Sequence, residues 1–406
     1  MNVLFLSLSS IADAAGHSIS LDLLHEFVRE GHNVCIVAAL ERKNNTDTYL
    51  ANEAGCRILR VRTGNNKKAS IIEKGLTTLM LPRIFIKAIK KYFSDVRFDL
   101  VLYPTPPITH YATVKYIKKR DGAKSYLLLK DIFPQNAVDI GMMSKKGVKG
   151  ILYRYFRRKE KKLYAISDRI GCMSQANVDY VLKHNPEIPA ERVEICPNAI
   201  EARDMTVTEQ ERVALREKYG LPLDKNVYVY GGNLGRPQGI PFLIECLKGQ
   251  RDRTDAYFLI VGDGTEFGKL ESFVNESGLQ NVRLMKKLPK EDYDRMVAAC
   301  DVGMIFLDHR FTIPNFPSRM LAYMQAKLPV LACTDPNTDI GKVITEGNYG
   351  WWCESNDPEA FAKTVEQIQS AKDGIKQNGE NGYRYLLEHY HSVGAYQTIR
   401  RFFTKD

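Results

Sequence analysis

Two successive sets of alternating strand and helix patterns constrain the fold of this chain more than any other feature. Short β-rich apolar runs recur between longer stretches with helical spacing, for instance at residues 20–30 and 108–120. Strands that alternate with helices in this way form doubly wound parallel sheets, so we predict an α/β fold. The strand-like runs are 3–6, 34–37, 57–61, 100–103, 125–129, 169–173 and 193–196 in the first set, and 227–230, 257–261, 282–285, 302–306, 330–333 and 350–353 in the second.

A polar, charged stretch from residue 201 to 224 separates the two sets and predicts a domain boundary. At 406 residues, the chain is too long for one ordinary core. We therefore expect an N-terminal Rossmann-like domain over 1–200 and a C-terminal one over 201–373. The last segment, 374–406, is helical and basic, and we expect it to pack back on the first domain.

The composition is that of a globular protein, because 44% of the residues are hydrophobic. No run of eighteen apolar residues occurs, which argues against a membrane-spanning segment. The first seven residues lack a basic leader and read as a strand, so we expect no signal peptide. The eight cysteines form no CxxC pair and lie in apolar runs, as expected for reduced core thiols of a cytosolic protein. A zinc site would need clustered cysteine and histidine, which the sequence lacks.

The formal net charge of +10 points to a nucleic acid, an anionic substrate or an anionic membrane. Residues 145–162 hold nine Lys or Arg and one acid, with apolar residues at helical spacing, and 67–93 repeat this pattern with seven cations. Basic amphipathic helices of this kind suit a membrane surface rather than a nucleic acid. The alternative is a helix whose apolar face packs on the core and whose basic face is solvated.

Three loops that open helices in the second set predict an anion-binding crevice. Glycines follow strands at 231–235 and 262–264, and Pro317-Ser318-Arg319 precedes an apolar helical pattern. Glycine allows backbone N–H groups to approach a phosphate, and the carboxyl ends of parallel strands share one edge of a sheet. Ser318 is predicted to cap the helix, and Arg319 adds a cation. Tight turns and a capped core helix without any ligand are the alternative interpretation.

Taken together, these residues resemble the retaining glycosyltransferases of family 4, which have the GT-B fold of two Rossmann-like domains with parallel sheets facing a central cleft. The resemblance covers nearly the whole chain and is nearest to the branch that builds bacterial capsule and O-antigen polysaccharides. It rests on the order and spacing of several short motifs. In chain order these are Phe98-Asp99-Leu100-Val101-Leu102, Lys130-Asp131-Ile132-Phe133-Pro134-Gln135, Ala165 with Asp168-Arg169-Ile170 and Ser174, Cys196-Pro197-Asn198-Ala199-Ile200, Tyr230-Gly231-Gly232-Asn233-Leu234-Gly235 with Gln238-Gly239, and Val261-Gly262-Asp263-Gly264.

The chain departs from the family pattern at charged positions. The family has two glutamates eight positions apart, facing the sugar and the ribose, where this chain has Pro314 and Ala322. The family's usual Arg and Lys near the diphosphate fall on Asn233 and Gln238. Arg236 and Arg319 are therefore expected to supply the positive charge instead, because arginine can contact a phosphate at two points.

The resemblance implies sugar transfer from a nucleotide diphosphate donor, a UDP-sugar, to a lipid-linked or glycan acceptor, with retention of configuration. It implies a place of action at the cytoplasmic face of the cell membrane. No metal or other cofactor is expected, since no carboxylates cluster beside a Gly-rich loop and positive charge beside the leaving diphosphate would replace a metal. The predicted donor-binding residues are Gly232, Asn233, Arg236, Gln238, Gly262, Pro317, Ser318 and Arg319.

In the N-terminal domain, Asp131 is the predicted catalytic carboxylate near the acceptor hydroxyl, and its alternative role is to cap the following turn. Gly16, His17 and Lys130 are predicted to contact the acceptor, although His17 could simply be a helix cap.

Three other functions compete with sugar transfer. A UDP-sugar epimerase of the same fold class would convert its substrate without an acceptor. An NAD-dependent dehydrogenase would need a G-x-G-x-x-G pattern after the first strand, which residues 7–18 lack. A non-enzymatic membrane- or polyanion-binding protein would use only the basic surface.

Overall fold

A computed structural model describes residues 1–65 and 71–403. The chain divides into two compact units, Met1–Glu201 with Ser392–Asp406, and Ala202–His391. The strands are β1 Asn2–Ser7, β2 Asn33–Glu41, β3 Tyr49–Glu53, β4 Cys56–Thr63, β5 Leu100–Pro104, β6 Lys124–Leu129, β7 Arg169–Cys172, β8 Val193–Ile195, β9 Asn226–Asn233, β10 Ala256–Asp263, β11 Val282–Lys286, β12 Val302–Phe306, β13 Val330–Thr334 and β14 Gly350–Glu354.

The helices alternate with these strands in both units, so the α/β prediction is confirmed. They are α1 Ile19–Arg29, α2 Ile71–Tyr92, α3 Tyr111–Asp121, α4 Gln135–Asp139, α5 Gly147–Ile166, α6 Gln175–His184, α7 Glu209–Tyr219, α8 Ile240–Lys248, α9 Phe267–Ser277, α10 Lys290–Ala298, α11 Met320–Gln325, α12 Ile340–Glu346, α13 Pro358–Ser370, α14 Lys372–His389 and α15 Ser392–Arg401. None of the helices in the described ranges has both the length and the apolar composition that a bilayer crossing requires.

The first unit contains an eight-stranded sheet in the order β3-β4-β2-β1-β5-β6-β7-β8. All neighbouring strands are parallel except β3, which pairs antiparallel with β4. This hairpin was not predicted, because β3 is short and polar and its turn, Ala54-Gly55, lacks the usual Asn-Gly or Asp-Gly signal. Both turn residues have positive φ, 48° at Ala54 and 76° at Gly55.

The second unit contains a parallel six-stranded sheet in the order β11-β10-β9-β12-β13-β14. After β9, the chain adds β10 and β11 on one side of that strand. It then returns and adds β12, β13 and β14 on the other side. The first sheet reverses in the same way between β1 and β5. Such a reversal opens a crevice at the carboxyl ends of the strands, where ligands of doubly wound sheets bind.

The C-terminal segment is shared between the units, which corrects part of the prediction for 374–406. Helix α14 belongs to the second unit, and only the chain from Ser392 onward joins the first. There Ser392 N–H donates to Ile200 O at 2.9 Å and its Oγ bonds to the buried Glu26 Oε1 at 2.6 Å. Tyr396 and Ile399 of α15 then enter the core of the first unit.

Candidate functional site

The Gly-rich turn, residues 231–235, begins within the last residues of β9 and lies at the point where the second sheet reverses direction. Gly232 has φ of +121°, a conformation that favours glycine. Gly262, near the end of β10, pairs with Gly232 so closely that a Cβ on Gly262 would lie 2.0 Å from the Gly232 carbonyl oxygen. The two predicted Gly-rich turns therefore begin as paired strand residues and are tightly constrained by packing.

Arg319 reaches this turn from the other side of the reversal. Its guanidinium carbon lies 4.2 Å from the centre of the Tyr230 ring, a cation–π contact. Its Nη2 would be 3.7 Å from a Cβ at Gly232. Nη1 is shielded from solvent and has no hydrogen-bond partner among residues 1–65 and 71–403. A buried cationic donor without a partner is costly, and an anion placed beside the Gly-rich turn would satisfy it.

The other predicted donor-side residues of this turn organise it or lie at its rim. Gln238 Oε1 accepts hydrogen bonds from Asn233 Nδ2 at 3.0 Å and from Gly235 N–H at 3.1 Å. The side chain of Arg236 is 55% exposed, and its Nε lies 3.8 Å from Glu266 Oε1. Arg236 is thus a solvent-screened cation, whereas Arg319 is a fixed one.

Ser318 does not occupy the cap position of the helix that follows it. Helix α11 begins at Met320, and the residue in the cap position is Arg319, with φ of −63° and ψ of −24° and no side-chain cap bond. The Ser318 carbonyl oxygen accepts from Leu321 N–H at 3.1 Å and so closes the turn before the helix. Because this helix has only six residues and follows a turn, Arg319 rather than a free helix start is the group that could meet an anion here.

The positions of the two family glutamates remain without a carboxylate, since Pro314 lies in the loop after β12 and Ala322 lies within α11. The nearest acid along that loop, Asp308, is committed to a bidentate pair with Arg310, with N–O distances of 2.8 and 2.7 Å. Burial opposes ionisation of Asp308, but the hydrogen bonds from Arg310 hold its pKa below the ordinary value.

In the first unit, the loop that follows β1 is fixed by Arg60. Its Nε donates to Ile11 O at 2.7 Å and its Nη2 donates to Ala12 O at 3.1 Å, while Glu53 pairs with the same guanidinium. A Cβ on the predicted contact residue Gly16 would meet Asp13 O at 3.5 Å, an ordinary contact, so the fold itself does not demand glycine there.

His17 is not a helix cap, because Ser18 caps α1 by accepting from Leu21 N–H at 3.2 Å. Instead, His17 Nδ1 lies 3.2 Å from Asp22 Oδ1 and 3.5 Å from Glu201 Oε2. The ligand atoms of these three residues lie within 4.8 Å of one another. Sequence reasoning missed this group because Asp22 and Glu201 are far apart in the chain.

The three side chains of this group already have protein partners. Glu201 Oε1 is 2.5 Å from Arg29 Nη2, and Asp22 Oδ2 accepts from Glu201 N–H at 3.1 Å. These bonds join α1 to the last residue of the first unit's N-terminal segment.

Lys130 and Asp131 follow β6 and lie at the same carboxyl edge of the first sheet as the loop after β1. Thr105 Oγ1 holds both residues by accepting from their N–H groups at 3.0 and 3.2 Å. The Asp131 carboxylate accepts from Asn136 Nδ2 at 2.7 and 2.9 Å. Burial raises the pKa of Asp131 to about 6 and lowers the pKa of Lys130 to about 8. Both groups can therefore exchange a proton near neutral pH.

Helix α5 presents an apolar surface to solvent among its cations. Of the predicted apolar stripe, Leu163 is buried and Phe156 packs on Phe133 with ring centroids 5.1 Å apart. The first two turns differ, because Val148, Ile151, Leu152 and Tyr155 are 85%, 60%, 49% and 37% exposed. The second predicted segment, 67–93, begins outside the described residues; in α2, Leu79 and Met80 are exposed while Phe85 and Ile89 are buried. Each helix thus has buried apolar residues on the core and exposed apolar residues elsewhere, at the start of α5 and in the middle of α2.

Comparison with known proteins agrees with this geometry. The family model "Glycosyltransferase Family 4" matches residues 19–204, and the model "Glycosyl transferases group 1" matches residues 211–385. The probable glycosyltransferase WbjE of Pseudomonas aeruginosa is 27% identical over 305 residues, 75% of this chain and 74% of that protein. The putative colanic acid biosynthesis glycosyl transferase WcaI of Escherichia coli K12 is 25% identical over 283 residues, 69% of this chain and 66% of that protein.

Solved structures resemble the chain over its whole length. Sucrose-phosphate synthase from Thermosynechococcus elongatus superposes with a TM-score of 0.76 at 14% identity, covering 99% of this chain and 98% of that one. Anabaena Alr3699/HepE, in complex with UDP and glucose, superposes with a TM-score of 0.72 at 15% identity and covers both chains completely. The fold is therefore that of the GT-B glycosyltransferases. With one family model matched in each unit and glycosyltransferases among its relatives, the chain belongs to glycosyltransferase family 4.

Proposed function

We propose that this glycosyltransferase moves a sugar from a UDP-sugar to a lipid-linked or glycan acceptor, with retention, in the assembly of a surface polysaccharide. The observation that carries the donor assignment is the Arg319 guanidinium, stacked on Tyr230 beside Gly232 with Nη1 unpartnered. Two relatives, a probable glycosyltransferase and a putative colanic acid biosynthesis glycosyl transferase, support this reading, as does the complex of Anabaena HepE with UDP and glucose. Family membership favours it over the epimerase, dehydrogenase and purely membrane-binding alternatives.

In this reaction, negative charge grows on the diphosphate as the bond to the sugar breaks. Arg319 lies in a poorly solvated position, so its interaction with that charge is stronger than it would be in water. Since the oxygen gains charge in the transition state, a donor fixed there stabilises the transition state more than the bound donor sugar. The chain would supply this stabilisation without a metal ion.

Arg319→Met tests the donor site. A hydrogen bond to a charged group contributes about 1.5–3 kcal/mol, so we expect UDP affinity to fall roughly 10- to 100-fold by titration calorimetry. Uridine affinity should change little, because uridine lacks the diphosphate. Arg236→Met is the matched control. It should lower UDP affinity less than Arg319→Met does, since the Arg236 side chain is 55% exposed. Equal UDP affinity in Arg319→Met and wild type would refute the placement.

On the acceptor side, Asp131 accepts the proton of the acceptor hydroxyl, and Lys130 contacts an anionic part of the acceptor. An acid with a pKa near 6 is ionised at neutral pH yet basic enough to accept a proton in a transition state. Gly16 and His17, at the same edge of the sheet, contact the sugar of the acceptor. Retention follows if the hydroxyl attacks from the face that the diphosphate leaves; the anomeric coupling constant of the product by NMR tests this.

We also propose that the first unit binds the anionic inner face of the cell membrane through the start of α5. Exposed Val148 and Ile151 lie beside cations such as Lys145, Lys149 and Arg154. Each cation near an anionic leaflet contributes about 1 kcal/mol, and the apolar side chains add burial in the interface. The complementary charge of the surface favours a bilayer as its partner.

The membrane test removes apolar side chains and leaves the charge unchanged. Val148→Ser/Ile151→Ser should bind vesicles containing anionic lipid several-fold more weakly than wild type at low salt, and binding should fall as salt rises. The matched control is Leu223→Ser/Leu387→Ser, which removes two exposed apolar side chains from the second unit. Arg157 must stay, because it pairs with the buried Glu160. If the α5 variant binds the vesicles as well as wild type does, the proposal is wrong and these apolar residues serve some other contact.

A further inference from the structure

Strands β9 and β12 separate at the point where the second sheet reverses. Their parallel pairing covers only Tyr228↔Val302 and Val229↔Gly303. Strand β9 continues beyond this point, but it stays paired with β10 alone, as far as Asn233. The crevice beside the Gly-rich turn therefore exists because β12 leaves β9.

The hydroxyl of Tyr323 occupies the gap where the two strands part. It accepts a hydrogen bond from Gly231 N–H on β9 at 3.3 Å and donates to Met304 O on β12 at 3.0 Å. The Tyr293 hydroxyl packs against Gly231 as well, since a Cβ on Gly231 would lie 1.7 Å from it. A tyrosine hydroxyl has one donor and two acceptor sites, so the two hydrogen bonds of Tyr323 use its donor and one acceptor site. The side chain thus replaces the backbone bond that the separating strands can no longer make.

The packing leaves no alternative place for these rings. A Cβ on Gly303 would lie 2.3 Å from the Tyr323 ring, and a Cβ on Gly231 would lie 1.7 Å from the Tyr293 hydroxyl. Both strands therefore carry glycine where a tyrosine side chain passes. This arrangement is specific to the parting of the strands, since it needs two glycines and two tyrosines from four separate elements, β9, α10, β12 and α11.

We propose that Tyr323, supported by Tyr293, is a positioning residue that holds the end of β9 open for the donor diphosphate. It fixes Gly231 and hence Gly232, the residue beside the unpartnered Arg319 guanidinium. Tyr323 need not touch the ligand itself. This inference rests on the proposed donor site and names the groups that shape it.

Tyr323→Phe removes the hydroxyl and keeps the ring. With two hydrogen bonds lost, we expect UDP affinity to fall roughly tenfold while uridine affinity stays within about twofold of wild type. Tyr228→Phe is the matched control. It lies on the same strand, and its buried hydroxyl has no hydrogen-bond partner in the described part of the chain, so UDP affinity should not change. Tyr293→Phe should give a smaller loss than Tyr323→Phe.

Amide hydrogen exchange without any ligand provides a second readout. The Gly231 amide should exchange faster in Tyr323→Phe than in wild type, and at the wild-type rate in Tyr228→Phe. Unchanged exchange at Gly231, or an equal loss of UDP and uridine affinity, would overturn the inference. If the wild type binds UDP no better than uridine, the proposed donor site fails, and the exchange result still decides whether Tyr323 holds the strand end.

Discussion

Asp131→Asn should make the first unit more stable above pH 6 and at the same time abolish sugar transfer. The carboxyl group is largely buried, and the neutral amide of Asn136 is its side-chain partner at 2.7 and 2.9 Å. Burial raises its pKa from 3.8 to about 6. The folded state therefore disfavours the charged form, and asparagine removes this cost while it can still accept from Asn136.

The magnitude and its pH window follow from linkage. A shift of roughly two pKa units at about 1.4 kcal/mol each gives a ceiling of about 3 kcal/mol, and partial contact with solvent reduces the expected gain to about 1–2 kcal/mol. Because the folded pKa is the higher one, the carboxyl costs nothing below about pH 3.8. Its cost grows from there and is complete above about pH 6. The two proteins should be equally stable near pH 4 and diverge by pH 8.

The measurement has to report on the first unit alone. Both tryptophans, Trp351 and Trp352, lie in the second unit, so tryptophan fluorescence reports the unfolding of that unit and not of the first. Amide exchange of β6 reports on the first unit and should slow in Asp131→Asn at pH 8, with tryptophan fluorescence as an internal control. Initial rates of transfer should fall by at least about 100-fold.

Asp168→Asn is the matched control, because the same substitution at this position should lower the stability of the first unit instead of raising it. Burial opposes the charge of Asp168, but bonds from Lys118 at 2.6 Å and Ser125 at 2.9 Å lower its pKa below the ordinary value. The ionised Asp168 stabilises the folded state at every pH above the pKa that this group has in the unfolded chain. The stabilisation is lost as the pH falls through the lower pKa of the folded state. A stability gain in Asp131→Asn that is equal at pH 4 and pH 8, or transfer at the wild-type rate, would refute the reasoning.

Two further predictions concern the second unit and the absence of a metal from the mechanism. Arg216→Met should lower the free energy of unfolding of the second unit by about 3–5 kcal/mol, because the buried guanidinium pairs with Asp301 and donates to three carbonyl oxygens. Trp351 and Trp352 fluorescence in urea measures this, and the exposed Lys218→Met should shift the midpoint far less. Transfer should persist within about twofold in excess EDTA, and activity lost with EDTA and restored by Mn²⁺ or Mg²⁺ would show that a metal takes part.

The strand pattern and the motif chemistry could be predicted from the sequence because both are local properties. A buried parallel strand is a short apolar run, and clustered glycines indicate a turn or a close backbone approach, so β1, β2, β9, β10 and the glycines from 231 to 235 could be identified without coordinates. The Arg319 cation could be placed near the same turn, since the carboxyl ends of parallel strands share an edge. The hairpin of β3 with β4 at the sheet edge was not predicted, because the pairing of β3 depends on β4 and not on the hydrophobic pattern of β3 itself.

Tertiary structure alone decided which side chains are partnered. Leu163 and Val148 belong to the same helical stripe, yet one is buried and the other is 85% exposed, because the core covers only one end of α5. Tyr323 reads as an ordinary core residue until its hydroxyl is seen between Gly231 and Met304. Burial, hydrogen bonding and pKa are set by neighbours distant in the chain. The sequence by itself therefore determined the fold class and which residue types stand at the strand ends. The packing of distant elements determined which of those side chains are already partnered and which remain available to a ligand.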